Sequence, residues 1–178
     1  VSVATGDVNG DGKLDLATAN VYQPAKSRAY TVSVLLNRGG GRFQAPRDHR
    51  TGDNPGAIAI GDVNGDRKLD LVTANEGNTV SVLLNRGAGR FHVKRDFRTG
   101  PSPTDVAIGD LNGDGKADLV TPNLHSIDTG PPRISVLLNK GGGRFPARRD
   151  YQAGWIYSIS MGDLNGDRRL DRRQRRRP

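Results

Sequence analysis

The chain has 178 residues, no cysteine and a formal net charge of +8. The lack of cysteine excludes a disulfide framework or a thiolate metal site, and no apolar run approaches the roughly 20 residues that span a bilayer. The positive charge is local, because residues 168–178 hold seven Arg and one Asp, which leaves +2 for the rest. Because no apolar run is long enough to span a bilayer, we expect no membrane insertion. The first residue is Val1, without a signal-peptide pattern, and we expect an internal fragment of a longer chain.

The chain repeats one order of elements. Four acidic segments begin at Asp7, Asp62, Asp110 and Asp163, at intervals of 55, 48 and 53 residues. In the second unit an apolar lead-in at 57–60 precedes the acidic segment, and apolar runs at 69–75 and 80–85 follow it. A Gly/Arg turn and an extended stretch from Phe91 to Gly100 complete the unit. The same order runs from residue 14 to 52 and from 117 to 154.

The apolar runs are five to eight residues long and rich in Val, Ile, Leu and Thr, which indicates strands. Sustained 3.6-residue periodicity is absent, so we expect almost no helix. Four strands, A to D, in each unit of about 50 residues predict a repeated antiparallel meander, and hence a partial β-propeller with three blades and the start of a fourth. The alternative is a β-sandwich with similar hairpins. The predicted blade core consists of Val34, Leu36, Val82, Leu84, Val136 and Leu138, with Phe43, Phe91 and Phe145 anchoring the outer strands.

Each acidic segment places oxygen-bearing side chains at positions 1, 3, 5 and 9, and position 7 offers its backbone carbonyl. Oxygen donors without His or Cys favour Ca²⁺ over zinc or copper. The alternative is a simple turn, because Asx side chains also bond their own backbone. Four copies favour the metal, since three close carboxylates repel one another without a cation. The predicted ligands are Asp7, Asn9, Asp11, Lys13 and Asp15; Asp62, Asn64, Asp66, Lys68 and Asp70; Asp110, Asn112, Asp114, Lys116 and Asp118; and Asp163, Asn165, Asp167, Arg169 and Asp171.

The spacing is similar to the first nine positions of an EF-hand loop. The Glu at position 12 is missing and the segment lies between strands, so a helical EF-hand is not expected. A structural calcium ion filled at millimolar concentration would suffice to pin each hairpin, which favours an extracellular or cell-surface location.

The acidic segment followed by LDLVTAN, VSVLLN and GRF resembles the FG-GAP (VCBS-like, integrin α-type) repeat. Residues 41–46 and 143–147 are loose forms of the motif that gives the family its name. The resemblance covers residues 1–171 and implies a propeller, usually seven-bladed, with calcium in the blade loops and ligand binding on the opposite face. This chain has too few units to close such a ring.

The B–C connections vary in length among the units, and in a meander they lie at the end opposite the acidic segments. Variable loops on a regular scaffold often carry recognition, although tolerated surface insertions are the alternative. The candidate ligand-binding residues at this end are Tyr22, Arg28, Tyr30, His125, Arg133 and Trp155. The expected partner is a protein or a glycan, besides the remaining blades of the parent chain.

No nucleophile elbow or phosphate loop is present, and the three His residues occupy unrelated places in their units. We therefore expect a binding or adhesion module rather than an enzyme. The alternative is a scaffold fragment of a secreted polysaccharide lyase or phosphohydrolase. The recurrent Arg-Asp pairs at 47–48, 95–96 and 149–150 are expected to solvate edge strands.

The fourth unit stops after Asp171, where an apolar strand should follow. Residues 172–178 form a basic tail instead, which we expect to be disordered or to result from a frameshift, since one nucleotide shift turns a plausible coding of Arg-Arg-Gln-Arg into Val-Ala-Asn. Such a tail lacks interleaved aromatic residues, so we expect no nucleic-acid partner.

Overall fold

The computed structural model describes residues 2–21, 30–124 and 131–162, together with the backbone of residues 171–174. All regular elements in this part of the chain are strands, as predicted, and it contains no helix long and apolar enough to cross a membrane. The strands are β1 (Val3–Gly6), β2 (Asp15–Asn20), β3 (Thr31–Leu35), β4 (Asn37–Gly39), β5 (Arg42–Phe43), β6 (Arg47–Arg50), β7 (Pro55–Gly61), β8 (Asp70–Asn75), β9 (Thr79–Leu83), β10 (Asn85–Gly87), β11 (Arg90–Phe91), β12 (Arg95–Arg98), β13 (Ala107–Gly109), β14 (Asp118–Asn123), β15 (Arg133–Leu137), β16 (Arg148–Gln152), β17 (Ile159–Gly162) and β18 (Asp171–Gln174).

Three four-stranded antiparallel sheets follow one another along the chain. Their strand orders are β1-β2-β3-β6, β7-β8-β9-β12 and β13-β14-β15-β16, and we call them blades 1, 2 and 3. The first strands of successive sheets, β1, β7, β13 and β17, are neighbours in turn. This is the arrangement of inner strands in a β-propeller-like repeat fold, and it confirms the predicted fold class.

Neighbouring blades pack face to face, which decides the burial of the middle strands. All six residues of β8 and of β14 are buried, because both strands are covered on both faces. Blades 1 and 3 cover β8, whereas blade 2 and the segment that leads into β17 cover β14. In β2, burial alternates between buried and half-buried residues, as in a strand that is covered on one face. One cluster joins blades 1 and 2, a second joins blades 2 and 3, and a third joins blade 3 to β17 and the segment before it. Burying each large aliphatic side chain in these clusters contributes about 1.5–3 kcal/mol.

The glycines that precede the first two acidic segments, Gly6 and Gly61, make room for the next blade. A Cβ on Gly6 would lie 3.0 Å from side-chain atoms of Ile60 and Leu69, and one on Gly61 would lie 3.2 Å from Ile108. A larger residue would push the inner strands apart, so the Gly-Asp pair serves packing as well as loop chemistry.

The predicted core is correct for the most part. Val34, Val82 and Val136 are at most 3% exposed, and Phe91 and Phe145 are buried. Phe43, in contrast, is 37% exposed, so its expected anchoring role is wrong in this structure. Phe91 and Phe145 each pack edge-on against a ring of the preceding blade, His49 and Phe97 respectively. Among the described residues, no such blade precedes Phe43. Leu84 and Leu138 are only half-buried.

The fourth unit differs from the expectation of a tail that starts at residue 172. The backbone of β18 pairs with β17, with Gly162 opposite Asp171 and Ile159 opposite Gln174. These two strands occupy the places of strands A and B in the earlier blades. The polar residues Arg172, Arg173 and Gln174 therefore take the place of the apolar strand that the repeat predicts, whereas residues 175–178 lie outside the described part. The frameshift remains a prediction.

Candidate functional site

The position-1 carboxylate organises each acidic loop. In the second copy, Asp62 accepts hydrogen bonds from the backbone of Gly65 at 2.7 Å, Asp66 at 3.2 Å and Arg67 at 2.7 Å. Asp7 and Asp110 make the equivalent bonds in their loops. Hydrogen bonds from backbone amides lower the pKa of Asp7 and Asp110, and the bond from Gly12 or Gly115 contributes most to this shift. The first and third loops are thus folded around a carboxylate whose ionised form the backbone favours.

Positions 3, 5 and 7 continue this pattern of local bonds. Asn64 Oδ1 accepts from the Asp66 amide at 2.8 Å, and Asp66 Oδ1 accepts from the Lys68 amide at 3.0 Å. Lys68 Nζ lies 2.9 Å from Asp66 Oδ2. In the third copy, the hydrogen bond from Lys116 is the main cause that lowers the pKa of Asp114. The lysine side chain at position 7 therefore neutralises the position-5 carboxylate, a role that the sequence analysis did not predict.

The position-9 carboxylate is buried and joins two loops of the blade, the acidic loop and the C–D turn. Asp70 is 0% exposed, and it accepts from the Val63 amide at 3.0 Å and from the Asn85 amide at 2.7 Å. Burial raises the pKa of Asp70 to about 6. The charges of Asp66 and Asp62 add to this rise, whereas the hydrogen bonds from the two backbone amides oppose it. Asp15 and Asp118 make the same pair of bonds. This residue ties the acidic loop to the C–D turn.

An asparagine at the start of each C–D turn completes this end of the blade. Asn85 Nδ2 donates to the carbonyl of Leu69 at 2.8 Å and to that of Val8, in the acidic loop of blade 1, also at 2.8 Å. Asn139 does the same toward Ala117 and Val63. The acidic loop of one blade is thus bonded to the turn of the next. The repeated LLN ending was visible in the sequence, but only the packing shows what its Asn contacts.

The three described acidic loops have the donor atoms that calcium prefers, but their carboxylates do not converge on one point. The donor set consists of carboxylate and amide oxygens, which suits a hard cation. Within the described ranges, however, no three His, Cys, Asp or Glu side chains converge as a metal centre. The carboxylates of the three described loops instead accept bonds from their own backbone, from lysine or from the C–D turn. The fourth loop, from Asp163 to Arg169, lies outside the described residues, and Asp171 is described only in its backbone.

The opposite end of the blades holds a second, partly buried network. Ser81 Oγ accepts from Asn75 Nδ2 at 2.9 Å and from the amide of Gly52, in the preceding blade, at 2.8 Å, and it donates to Asp96 Oδ1 at 2.7 Å. Ser135 repeats these contacts with Gly100, Asn123 and Asp150. The aspartates of the Arg-Asp pairs accept from these serines, so the expectation that they only solvate an edge is incomplete.

The structure separates the candidate ligand-binding residues. Tyr22, Arg28 and His125 lie outside the described residues. Tyr30 lines a cavity of about 420 Å³ at the junction of blades 1 and 2, together with Arg50 and Asp53. Arg133 is an exposed residue at the start of β15, and Trp155 is 55% exposed between β16 and β17. Tyr30 therefore belongs to a different blade junction from Arg133 and Trp155, and the six residues stay a prediction as a site.

Comparisons with known proteins agree with the repeat architecture. The family description "FG-GAP-like repeat" matches twice, at residues 7–73 and 62–121. A chain of the Photorhabdus luminescens Tc holotoxin pore has the same fold with a TM-score of 0.55 and 23% identity, over 92% of this chain and 8% of that one. This chain thus spans a small part of that toxin chain. Among curated proteins, no significant match is found. Because the family matches extend over more than half of the residues, the chain belongs to the FG-GAP-like repeat family.

Proposed function

We propose that this chain is part of an extracellular binding module in which calcium in the acidic loops stiffens the blades, while the opposite end binds a protein or glycan. The observation that carries the proposal is the bond from Asn85 to Val8, which connects an acidic loop to the next blade. Any ion that orders such a loop therefore also orders the junction between two blades.

In the second copy, the groups that would hold the ion are the side chains of Asp62, Asn64, Asp66 and Asp70 and the carbonyl of Lys68. The ion would supply positive charge to carboxylates that now repel one another, as the raised pKa of Asp70 reflects in part. Binding requires the Lys68 side chain to release Asp66, since that carboxylate has to turn toward the ion. Because both oxygens of Asp70 already hold backbone amides, Asp62 and Asp66 would provide most of the new contacts.

Thermal unfolding of the purified chain with increasing Ca²⁺ tests this proposal. A site filled at ten times its Kd stabilises a protein by about 1.4 kcal/mol, and each kcal/mol raises Tm by about 2–4 °C in a chain of this size. We expect Asp62→Asn to reduce the calcium shift and Asp53→Asn, an exposed acid outside the loops, to leave it unchanged. An equal concentration of Mg²⁺ should act more weakly, since it demands octahedral geometry. An unchanged Tm at millimolar Ca²⁺ would refute the calcium role.

The second candidate function is a scaffold within a secreted lyase or phosphohydrolase. It requires catalytic side chains from several blades in one cleft. Of the three His residues, His49 packs on Phe91 at a blade junction, His92 is exposed in a C–D connection, and His125 lies outside the described residues. Turnover of acidic glycans or phosphate esters by the parent protein would favour this candidate over the binding module.

A further inference from the structure

A cleft of about 420 Å³ lies at the junction of blades 2 and 3, at the end opposite the acidic loops. It is formed by the B–C loop of blade 2, the connection that leaves β12, and the first residue of β16. Its lining residues are Gly77, Asn78, Thr79, Arg98, Thr99, Pro101 and Arg148. We propose that this cleft binds the carboxylate of a uronate residue in an acidic glycan. The inference rests on the proposed recognition role of this end of the blades.

The polar side chains in the cleft offer donors to an anion. Arg98 is exposed, and its guanidinium has no partner within the described ranges. Arg148 uses two of its five N–H groups, for the carbonyl of Thr99 and for Asp150 Oδ2, and the others remain available. These two bonds hold the Arg148 side chain at the blade junction beside the cleft.

Two neutral side chains add further donors. Asn78 Oδ1 accepts from the Ser102 amide at 3.0 Å, which leaves the Nδ2 group as a donor. Thr79 Oγ1 accepts from Asn75 Nδ2 at 3.1 Å, so its hydroxyl proton can be donated elsewhere. No Asp or Glu lines this cleft. Asp150, the nearest acid by bonding, is engaged by Ser135 and by Arg148 Nε.

The junction of blades 1 and 2 forms the equivalent cleft, in which the lining charges balance. It also measures about 420 Å³, and Arg50 and Lys94 hold the places of Arg98 and Arg148. There, however, two acids, Asp53 and Asp96, line the cleft. Lys94 pairs with Asp96 as Arg148 pairs with Asp150 at the second junction, so the lining acids are the difference. Asp53 stands where the second junction has Pro101. The repeat therefore provides the same cavity twice, but only the second one combines two arginines with no lining acid.

The chemistry of the cleft favours a sugar acid over an isolated ion. A planar guanidinium binds a carboxylate with two parallel hydrogen bonds. Its volume is an order of magnitude above the roughly 30 Å³ that one water molecule occupies, so a monosaccharide-sized group is needed to fill it. Pro101 supplies an apolar wall for the C–H face of the ring, while Asn78 and Thr79 can bond its hydroxyls.

Calorimetric titration of the whole chain with oligogalacturonate tests the proposal, with inorganic sulfate and a neutral oligosaccharide as the other arms. We expect binding of oligogalacturonate alone, weakened at least tenfold by Arg98→Gln and by Pro101→Asp, which installs the acid of the first junction. Arg50→Gln is the matched control and should bind as the wild type does. Binding should also weaken with added salt.

Three results would overturn the inference. These are an absence of oligogalacturonate binding by the wild type, an equal loss in Arg50→Gln, and sulfate binding as tight as that of the oligosaccharide, which would mean a free anion site. The calcium shift of Tm is measured on the same samples. A normal calcium shift without glycan binding refutes the cleft alone, and glycan binding without a calcium shift refutes the calcium role alone.

Discussion

Replacing Asn85 with alanine should loosen the junction of blades 1 and 2. Asn85 is 3% exposed and makes three hydrogen bonds through its side chain: to the carbonyls of Val8 and Leu69, and from the amide of Gly87 at 2.7 Å. A typical intramolecular hydrogen bond contributes about 1 kcal/mol net. The change should therefore lower the free energy of unfolding by about 3 kcal/mol, since three backbone groups lose their partner in a site with little access to water.

Urea unfolding followed by circular dichroism measures this loss, and Asn37→Ala is the matched control. Asn37 occupies the same position in blade 1, where it donates to Leu14 and accepts from the Gly39 amide, but has no bond to another described blade. We expect it to lose about 2 kcal/mol or less. The difference between the variants isolates the bond between the blades. Equal losses in the two variants would refute the claim that this asparagine joins the acidic loop to the next blade.

Three further predictions concern the blade junctions. Burial lowers the pKa of His49 below 6.5, the Arg47 charge adding to this and Asp48 opposing it. Its Nε2 is buried and has no hydrogen-bond partner among the residues that the structure describes. Because folding depresses the pKa of His49, its neutral form adds stability above the unfolded pKa, and this stability is lost as the pH falls through the folded pKa. Between pH about 7 and about 5, the unfolding midpoint should therefore drop less in His49→Phe than in the wild type. Gly89→Ala places a Cβ 2.8 Å from Leu36 at a φ of +63°, whereas the Cβ of Gly113→Ala, at a φ of +76°, meets nothing within 4 Å. Gly89→Ala should therefore lower the free energy of unfolding by about 1–3 kcal/mol more than Gly113→Ala does. Equal unfolding free energies of the two variants would disprove the packing argument. Ser135→Ala removes partners from Gly100, Asn123 and Asp150 and should lower thermal stability more than Ser33→Ala, which lacks a bond from a preceding blade among the described residues; the reverse order would contradict the role of this network.

The two ends of each blade junction differ in how much their side chains can vary from one repeat to the next. At the acidic-loop end, asparagine and aspartate bond backbone groups, so the sequence of this end can repeat with little change. At the other end, the serine network holds the strands together while the lining residues of the clefts vary. The exchange of Asp53 for Pro101 changes the charge of a cleft without touching the bonds that join the blades. A repeat fold can therefore present different binding surfaces on one frame.

Local pattern and repetition in the sequence determined the blade, because strand alternation and turn chemistry act over a few residues. The four-stranded order and the burial of Val82 and Val136 could be predicted from the spacing of apolar residues and Gly-Asp turns. Even the position-1 aspartate was recognisable, since its bonds stay within five residues.

Only the tertiary structure decided the contacts between units. The bond from Asn85 to Val8 joins residues 77 positions apart, and no local pattern reports a partner at that distance. Phe43 and Phe91 occupy the same place in their repeats, yet only Phe91 meets a ring of a preceding blade. In the acidic loops, donor type and spacing predict an ion, whereas the direction of each carboxylate depends on the amides and the lysine that it contacts. These partners are set by packing, and packing is a property of the folded chain.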